Sequence, residues 1–336
     1  MDKPTERIIW PDMCKGITIF LVIVGHAIGY TVSYMGNSGK EVDILFGIYK
    51  WIYSFHMPLF FFVSGFLQKV SESRKKTTRY VVANKIIGYV VPYVFFSIAF
   101  WAIKVFFSRD IMNPVTVKDL LLIGVYPFSD FWFLYCLFMF YIIHVLLLKI
   151  GFDDRLWVVV ALTISIIAMY INWKGNIVGT AIPRMCKNMT YYFSGLAIQS
   201  MISKNDCHLR VPKAIACIIL GGILCYTSIA NRLLSVVLII VSAYLTIYGL
   251  LLLTQKWEIK PIGFLGKKSM YIYLVHDYAV CGVVILLSRF VWSPSITVIL
   301  ATFGSIVFSL IAIWLCSKSK VLDFFFRPRI LFDSRD

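Results

Sequence analysis

The chain has 336 residues, of which 60% are hydrophobic and 15% charged, with a mean hydropathy of +0.81 and a formal net charge of +16. No soluble domain of that length buries so much apolar surface, so the composition is that of an integral membrane protein. The basic residues lie in short loops between apolar segments rather than in a folded basic domain, which excludes nucleic-acid binding and fits contact with anionic lipid.

In chain order, segments apolar enough to cross a bilayer run over roughly 17–34, 44–68, 82–107, 131–149, 156–172, 190–203, 214–230, 233–253, 270–288 and 295–316. The expected fold is therefore an all-α polytopic membrane bundle of about ten transmembrane helices, with residues 1–336 as one domain and a short basic tail over about 317–336. Pro58 in the second segment and Pro92 in the third mark places where a helix can kink. The positive-inside rule puts both termini in the cytoplasm: roughly 22 Lys and Arg then fall inside and roughly 8 outside. The densest inner cluster is Lys69, Arg74, Lys75, Lys76 and Arg79. The longest outer loops, near 108–130 and 173–189, are too short for a separate domain. The N-terminus reads as a charged stretch before a span, not as a cleavable signal. Eight cysteines show no CxxC pair and no metal spacing, and read as small buried hydrophobes. No phosphate-binding loop, GxSxG elbow or HExxH is present, so no metal is expected.

The chemistry-bearing residues begin in the first segment. Lys15 and His26 are eleven residues apart, close to three helical turns, so both project from one face about 16 Å apart along the axis. An ionisable group deep in a membrane is a functional-site hypothesis by default. Asp12 is an i,i+3 neighbour of Lys15 and suits the positive end of the helix dipole. His56, in Phe55-His56-Met57-Pro58, reaches a depth similar to His26, and the two are expected to line one cavity. His276, in Tyr271-Ile272-Tyr273-Leu274-Val275-His276-Asp277, is expected at a shallower level, as a site wall or a satisfied helix contact. His144 reads as structural and His208 as solvated. Lys85 is a snorkelling lysine or a phosphate contact. Asp130 and the aromatics after it, with Trp132, open a helix at the outer face, where aromatic residues usually form an interfacial belt. Arg184 sits in an outer loop, as a contact to an acceptor or as an ordinary loop arginine.

Taken in this order on ten spans, these residues resemble acyltransferase family 3 of bacterial membrane enzymes, and within it a subgroup described as fucose 4-O-acetylase-like. The resemblance rests on Trp10, Asp12, Lys15-Gly16 and Gly25-His26, then Phe55-His56-Met57-Pro58-Leu59-Phe60-Phe61 with Ser64-Gly65. It continues through Lys85 with Pro92-Tyr93, Trp132-Phe133-Leu134, and Tyr271-Ile272-Tyr273-Leu274 with His276. Many members carry Arg where this chain has Lys15, and a single ammonium makes no bidentate clamp. Some have a second basic residue where Tyr89 and its neighbours stand, and some carry a fused extracytoplasmic domain.

The resemblance implies a multi-pass enzyme of the cell (inner) membrane. It would move an acyl group, acetyl by family habit, from cytoplasmic acetyl-CoA to a hydroxyl of a cell-surface glycan or its lipid-linked precursor. Asp12, Lys15 and Lys85 would bind acyl-CoA. His26 would be general base or acyl relay, and His56 would orient it or stabilise the oxyanion. Trp132, Arg184, Tyr273 and His276 would form the acceptor side or wall. The competing reading is a secondary transporter or flippase, which also needs buried polar groups. Against it, both proline breaks lie in the first half with no matching pair in the second. The oligomeric state is left open by the sequence.

Overall fold

The computed structural model describes residues 8–36, 39–72, 78–108, 115–151, 153–175, 177, 180–198, 210–227, 231–290 and 293–328. Arg74, Lys75, Lys76, Cys207, His208, Arg329 and Arg335 lie outside them.

In a hydrocarbon solvent the backbone must satisfy its own hydrogen bonds, and a helix does so within one segment. All regular structure among the described residues is helical. The order is α1 (Trp10–Met35), α2 (Lys40–Glu72), α3 (Thr78–Phe106), α4 (Val117–Leu121), a 3-10 turn (Ser129–Phe131) and α5 (Trp132–Ile150). It continues with α6 (Asp154–Tyr170), α7 (Ala181–Ile198), α8 (Arg210–Tyr226), α9 (Arg232–Lys256), α10 (Lys260–Lys267), α11 (Ser269–Ser288), α12 (Pro294–Lys318) and α13 (Lys320–Phe326). Six of these, α1, α3, α5, α9, α11 and α12, hold stretches long and apolar enough to cross a membrane; α6 and α8 are shorter apolar helices. Helices α2 and α3 run unbroken through Pro58 and Pro92.

Two elements differ from expectation. The sixth apolar segment, read as 190–203, belongs to a helix that starts at Ala181, so Arg184 lies in the first turn of α7 and not in a loop. Its first turns carry Arg184 and Lys187, which lower the hydropathy without lowering helix formation. The segment before α5 is not a simple outer loop either. It holds α4 and the 3-10 turn and folds back onto the bundle: Trp101 Nε1 donates to Thr116 O at 2.9 Å and Tyr135 to Gly124 O at 2.9 Å. Tyr93 also donates to Ile123 O, and Phe100 meets Phe128 and Phe131 edge-on.

Helix α1 is the centre of the bundle, packed by α2, α9, α10, α11 and α12. Close approach is made by glycine. A Cβ at Gly16 would lie 1.9 Å from Ile262 O, and one at Gly266 would lie 1.7 Å from Asp12 O, so α10 rests on α1 backbone to backbone. The α2–α7 crossing is built the same way: a Cβ at Gly65 would lie 2.0 Å from Tyr192 O, and one at Gly195 2.0 Å from Phe62 O. Small residues at crossings are how helices gain dispersion contacts where lipid supplies no hydrophobic drive. Aromatic rings fill the space around them, with Phe55, Phe61, Phe140, Tyr191 and Phe193 fully buried. At one end, Glu41 of α2 accepts from Ser295 N at 2.7 Å and so caps α12. The seven described cysteines are free; Cys14, Cys136 and Cys316 are buried and the other four partly so.

Gly195→Ala forces α2 and α7 apart, and we expect it to cost about 1–3 kcal/mol, read as a lower unfolding midpoint in detergent. Gly124→Ala, where a Cβ meets nothing within 4 Å, should leave the midpoint in place. Equal midpoints for the two variants would refute the crossing.

Candidate active site

The Gly25-His26 pair shows why the first helix carries a glycine there. A Cβ at Gly25 would lie 2.8 Å from the Tyr53 ring, so glycine lets Tyr53 close against α1 beside His26. The Tyr53 ring stands edge-on to His26 at 6.4 Å between centroids, and edge-on to His56 at 4.6 Å. From α11, His276 meets His26 edge-on at 5.2 Å. Two carboxylates face one nitrogen of His26: Asp130 Oδ2 is 3.7 Å and Asp277 Oδ1 3.8 Å from Nδ1. Tyr30, one turn further along α1, donates to Asp277 Oδ1 at 2.9 Å.

The hydrogen bonds assign the tautomers of the two neighbouring histidines. His276 Nδ1 is 2.7 Å from Tyr273 O, and His56 Nδ1 is 2.7 Å from Ile52 O. A carbonyl only accepts, so in the neutral rings both Nδ1 atoms carry the proton and both Nε2 atoms present a lone pair. His276 Nε2 and Asp277 Oδ2 are buried without a hydrogen-bond partner among the described residues. Buried polar atoms are normally satisfied, and exceptions concentrate where chemistry is done.

Asp130 arrives on the 3-10 turn, not on a span. Its backbone carbonyl accepts from Tyr273 OH, and Phe131 packs edge-on against Tyr273. The carboxyl reaches the cavity on one side and is enclosed by protein on the others. That desolvation foremost holds it above the ordinary aspartate range; the His26 and Arg184 charges pull it down and Asp277 pushes it up. Arg184 stacks over Trp132 at 5.5 Å.

The structure thus gathers His26, Tyr273 and His276 in one place, with His56 joined to them through Tyr53. His276 stands beside His26 rather than at a shallower level. Helix α11 follows directly on α10, which is seated on the start of α1 at Gly266, and packs along α1 so that the two rings meet. Trp132 and Arg184 form a neighbouring pair. Lys15 is ion-paired with the buried Asp12 at 2.9 Å, three turns away along the unbroken α1. Lys85 belongs to a different cluster, with its ammonium 5.7 Å from the Tyr89 ring and 6.0 Å from the Tyr141 ring. His144 is buried and meets Glu72 Oε1 at 2.7 Å, in keeping with a structural role.

Tyr30 and Tyr53 carry no signal in the sequence that marks them as site residues. Asp130 opens a helix as its sequence position implies, but its approach to His26 depends on the contacts of its segment to α3 and α11, which the sequence does not show. Asp277 was legible, as a carboxylate inside an apolar run.

A cavity of about 480 Å³ opens over His26, lined by Gly29, Tyr30, Ser33, Tyr49, Tyr53 and Asp130 among others. Its walls are the stretches of α1 beyond His26 and of α2 before Tyr53, so it opens toward the Met35 end of α1. His26, Asp130 and Asp277 offer one ligand atom each within 4.8 Å of one another. Such a set can hold a divalent cation or handle a proton. The two long Nδ1–carboxylate separations fit an ion pair that tightens when the imidazole is protonated.

Residues 8–318 match a family model described as an acyltransferase domain, that of acyltransferase family 3. A curated relative, the nodulation protein NolL of Mesorhizobium japonicum (strain LMG 29417 / CECT 9101 / MAFF 303099), is 32% identical over 133 residues. That match covers 39% of this chain and about a third, 34%, of the relative. No solved structure matches the chain.

Tyr30→Phe removes the donor to the buried Asp277 carboxylate. Leaving such an acceptor unsatisfied costs about 1–3 kcal/mol, so a lower unfolding midpoint in detergent is expected. An unchanged midpoint would show that the two groups do not bond.

Proposed function

The chain belongs to acyltransferase family 3, and from that premise we propose that it is a multi-pass membrane O-acyltransferase. It moves an acyl group, acetyl foremost, from cytoplasmic acyl-CoA to a hydroxyl of a cell-surface glycan or its lipid-linked precursor. Membership in an acyl-transferring family sets the transporter reading aside.

The observation that carries the reading is the placement of His26. It lies at the floor of a cavity open toward one end of α1, with two carboxylates on Nδ1, while Lys15 lies three turns toward the other end. In our reading about ten helices cross the cell membrane, both termini are cytoplasmic, the Lys15 end faces inward and the cavity faces outward. A phosphate of the donor is held at the inner mouth by Lys15, which Asp12 orients. Lys85 remains available to the donor further along the bundle. A second cavity of about 360 Å³, lined by Lys268, Lys318, Lys320 and Arg327 among others, adds positive charge suited to a polyanionic donor. About 16 Å of helical rise separates Lys15 from His26, a span that an extended pantetheine arm covers.

With Nδ1–H directed at Asp130 and Asp277, His26 Nε2 is the basic atom. It takes the proton of the acceptor hydroxyl as the oxygen attacks the thioester carbonyl carbon. The two carboxylates stabilise the imidazolium that forms, as the aspartate of a serine protease triad does. Collapse of the tetrahedral intermediate breaks the C–S bond, and the imidazolium returns the proton to the departing thiolate. The products are the O-acyl ester and free CoA thiol. A covalent acyl-His26 relay uses the same groups. Neutral His56 spends its N–H on Ile52, so it has no proton to offer an oxyanion; its role is to hold Tyr53 and through it His26. Trp132, Arg184, Tyr273 and His276 shape the acceptor side.

Transfer from radiolabelled acetyl-CoA into the surface glycan fraction tests the proposal in membranes at matched expression. His26→Ala should lose at least about 100-fold in kcat, the low end of what a positioned base contributes. Lys15→Ala should mainly raise the KM for acetyl-CoA, and wild-type transfer should persist in excess chelator. Full activity of His26→Ala would sink both the base and the relay.

A further inference from the structure

A third cavity, of about 500 Å³, runs beside the His26 cavity between α1, α3 and α11. Its walls are apolar side chains, among them Phe100, Ile103, Ile285 and Leu286, and none of its described lining residues is acidic. Two cations line it as well. Lys104 stands in the last turn of α3 and Arg289 caps the end of α11, so both lie at the same end of the bundle as Met35. The Lys104 ammonium rests on the ring faces of Phe100 and Phe128, at 4.9 and 5.8 Å. Tyr30 and Ser33 line this groove and the His26 cavity alike, so the two spaces meet across one ridge of α1. One space is mainly apolar; the other is flanked by hydroxyls, an imidazole and a carboxylate.

Resting on the acyltransferase reading above, we propose that the acceptor is bound as a lipid-linked sugar phosphate. Its hydrocarbon tail lies in the α1–α3–α11 groove, its phosphate lies against Lys104 and Arg289, and its sugar crosses the Tyr30–Ser33 ridge to His26. The argument is one of complementarity. An amphiphile with an anionic junction needs an apolar trough, cations at one end of it, and a polar chamber next to those cations, in that order. A free polysaccharide would leave about 500 Å³ of apolar groove unused next to the site. A bulk phospholipid would have no reason to share Tyr30 with the catalytic cavity. Both cations sit at helix C-termini, where they also complement the helix dipole. Tyr30 connects the two tasks, since it lines the groove and also hydrogen-bonds Asp277 beside His26.

The test uses the full chain in phosphatidylcholine nanodiscs and a photoreactive farnesyl phosphate as probe, with labelled peptides mapped by mass spectrometry. Label is expected on α3 and α11 near Ile103 and Ile285. Unlabelled farnesyl phosphate should displace it; farnesol, inorganic phosphate and phosphatidylglycerol should not. Lys104→Gln should cut labelling about tenfold, the loss of one charge-assisted contact, and Ile285→Trp should block the groove. Unfolding midpoints equal to wild type would show that both variants fold. Labelling that farnesol or phosphatidylglycerol displaces equally well, or that ignores Lys104→Gln, would overturn the proposal. Acetyl-CoA binding measured on the same samples reports on the enzymatic reading separately. Lys104→Gln should leave it unchanged, whereas its absence from wild type would count against the acyltransferase assignment and not against the groove.

Discussion

The contact on which the rest depends is the seating of α1 against its neighbours through glycine. Inside a bilayer the lipid tails are as apolar as leucine, so helices gain little by hiding apolar surface from them. What holds them is close approach. Gly16 and Gly266 bring α10 onto the start of α1, and Gly25 lets Tyr53 of α2 reach the middle of it. Because α11 follows directly on α10, the first contact is joined by a short stretch of chain to the helix that carries His276 and Asp277. A bulkier residue at Gly266 would disturb a site ten residues further along the chain.

The second constraint is the cost of gathering polar groups away from water. Two carboxylates, three histidines and several tyrosines share a small volume, and isolated charges there would be expensive. The structure answers by pairing. Backbone carbonyls of α2 and α11 take one N–H each from His56 and His276, Tyr30 takes one oxygen of Asp277, and His26 stands between two acids. What remains unmatched among the described residues there is His276 Nε2 and Asp277 Oδ2. The same pairing separates the two histidines: Nδ1 of His26 faces two carboxylates, whereas Nδ1 of His56 is committed to a backbone carbonyl.

Much of this was readable in advance, because hydropathy and helical spacing are local properties. The long apolar runs became helices, and Lys15 and His26 fall on one unbroken helix as their spacing demands. Asp12 pairs with Lys15 because i,i+3 neighbours meet on any helix. The start of α7 was misread for the complementary reason: its first turns are polar yet helical, and a hydropathy scan sees only polarity. The approach of Asp130 to His26 was not readable because it follows from distant partners, Tyr273 and His26 itself, that no window of sequence contains.

Sequence by itself determined the solvent this protein folds in, the helices it forms, its family likeness, and the two basic groups aligned along α1. Each of these follows from composition, or from side chains a few residues apart on one helix. Tertiary structure alone decided that Asp130 and Asp277 converge on His26, that His276 stands beside it, that His56 commits its Nδ1–H to Ile52 O, and that an apolar groove meets the His26 cavity at Tyr30. Those depend on how α1, α2, α3, α11 and the fold-back before α5 pack together. Packing is set by close approach between residues hundreds of positions apart, which local pattern does not encode.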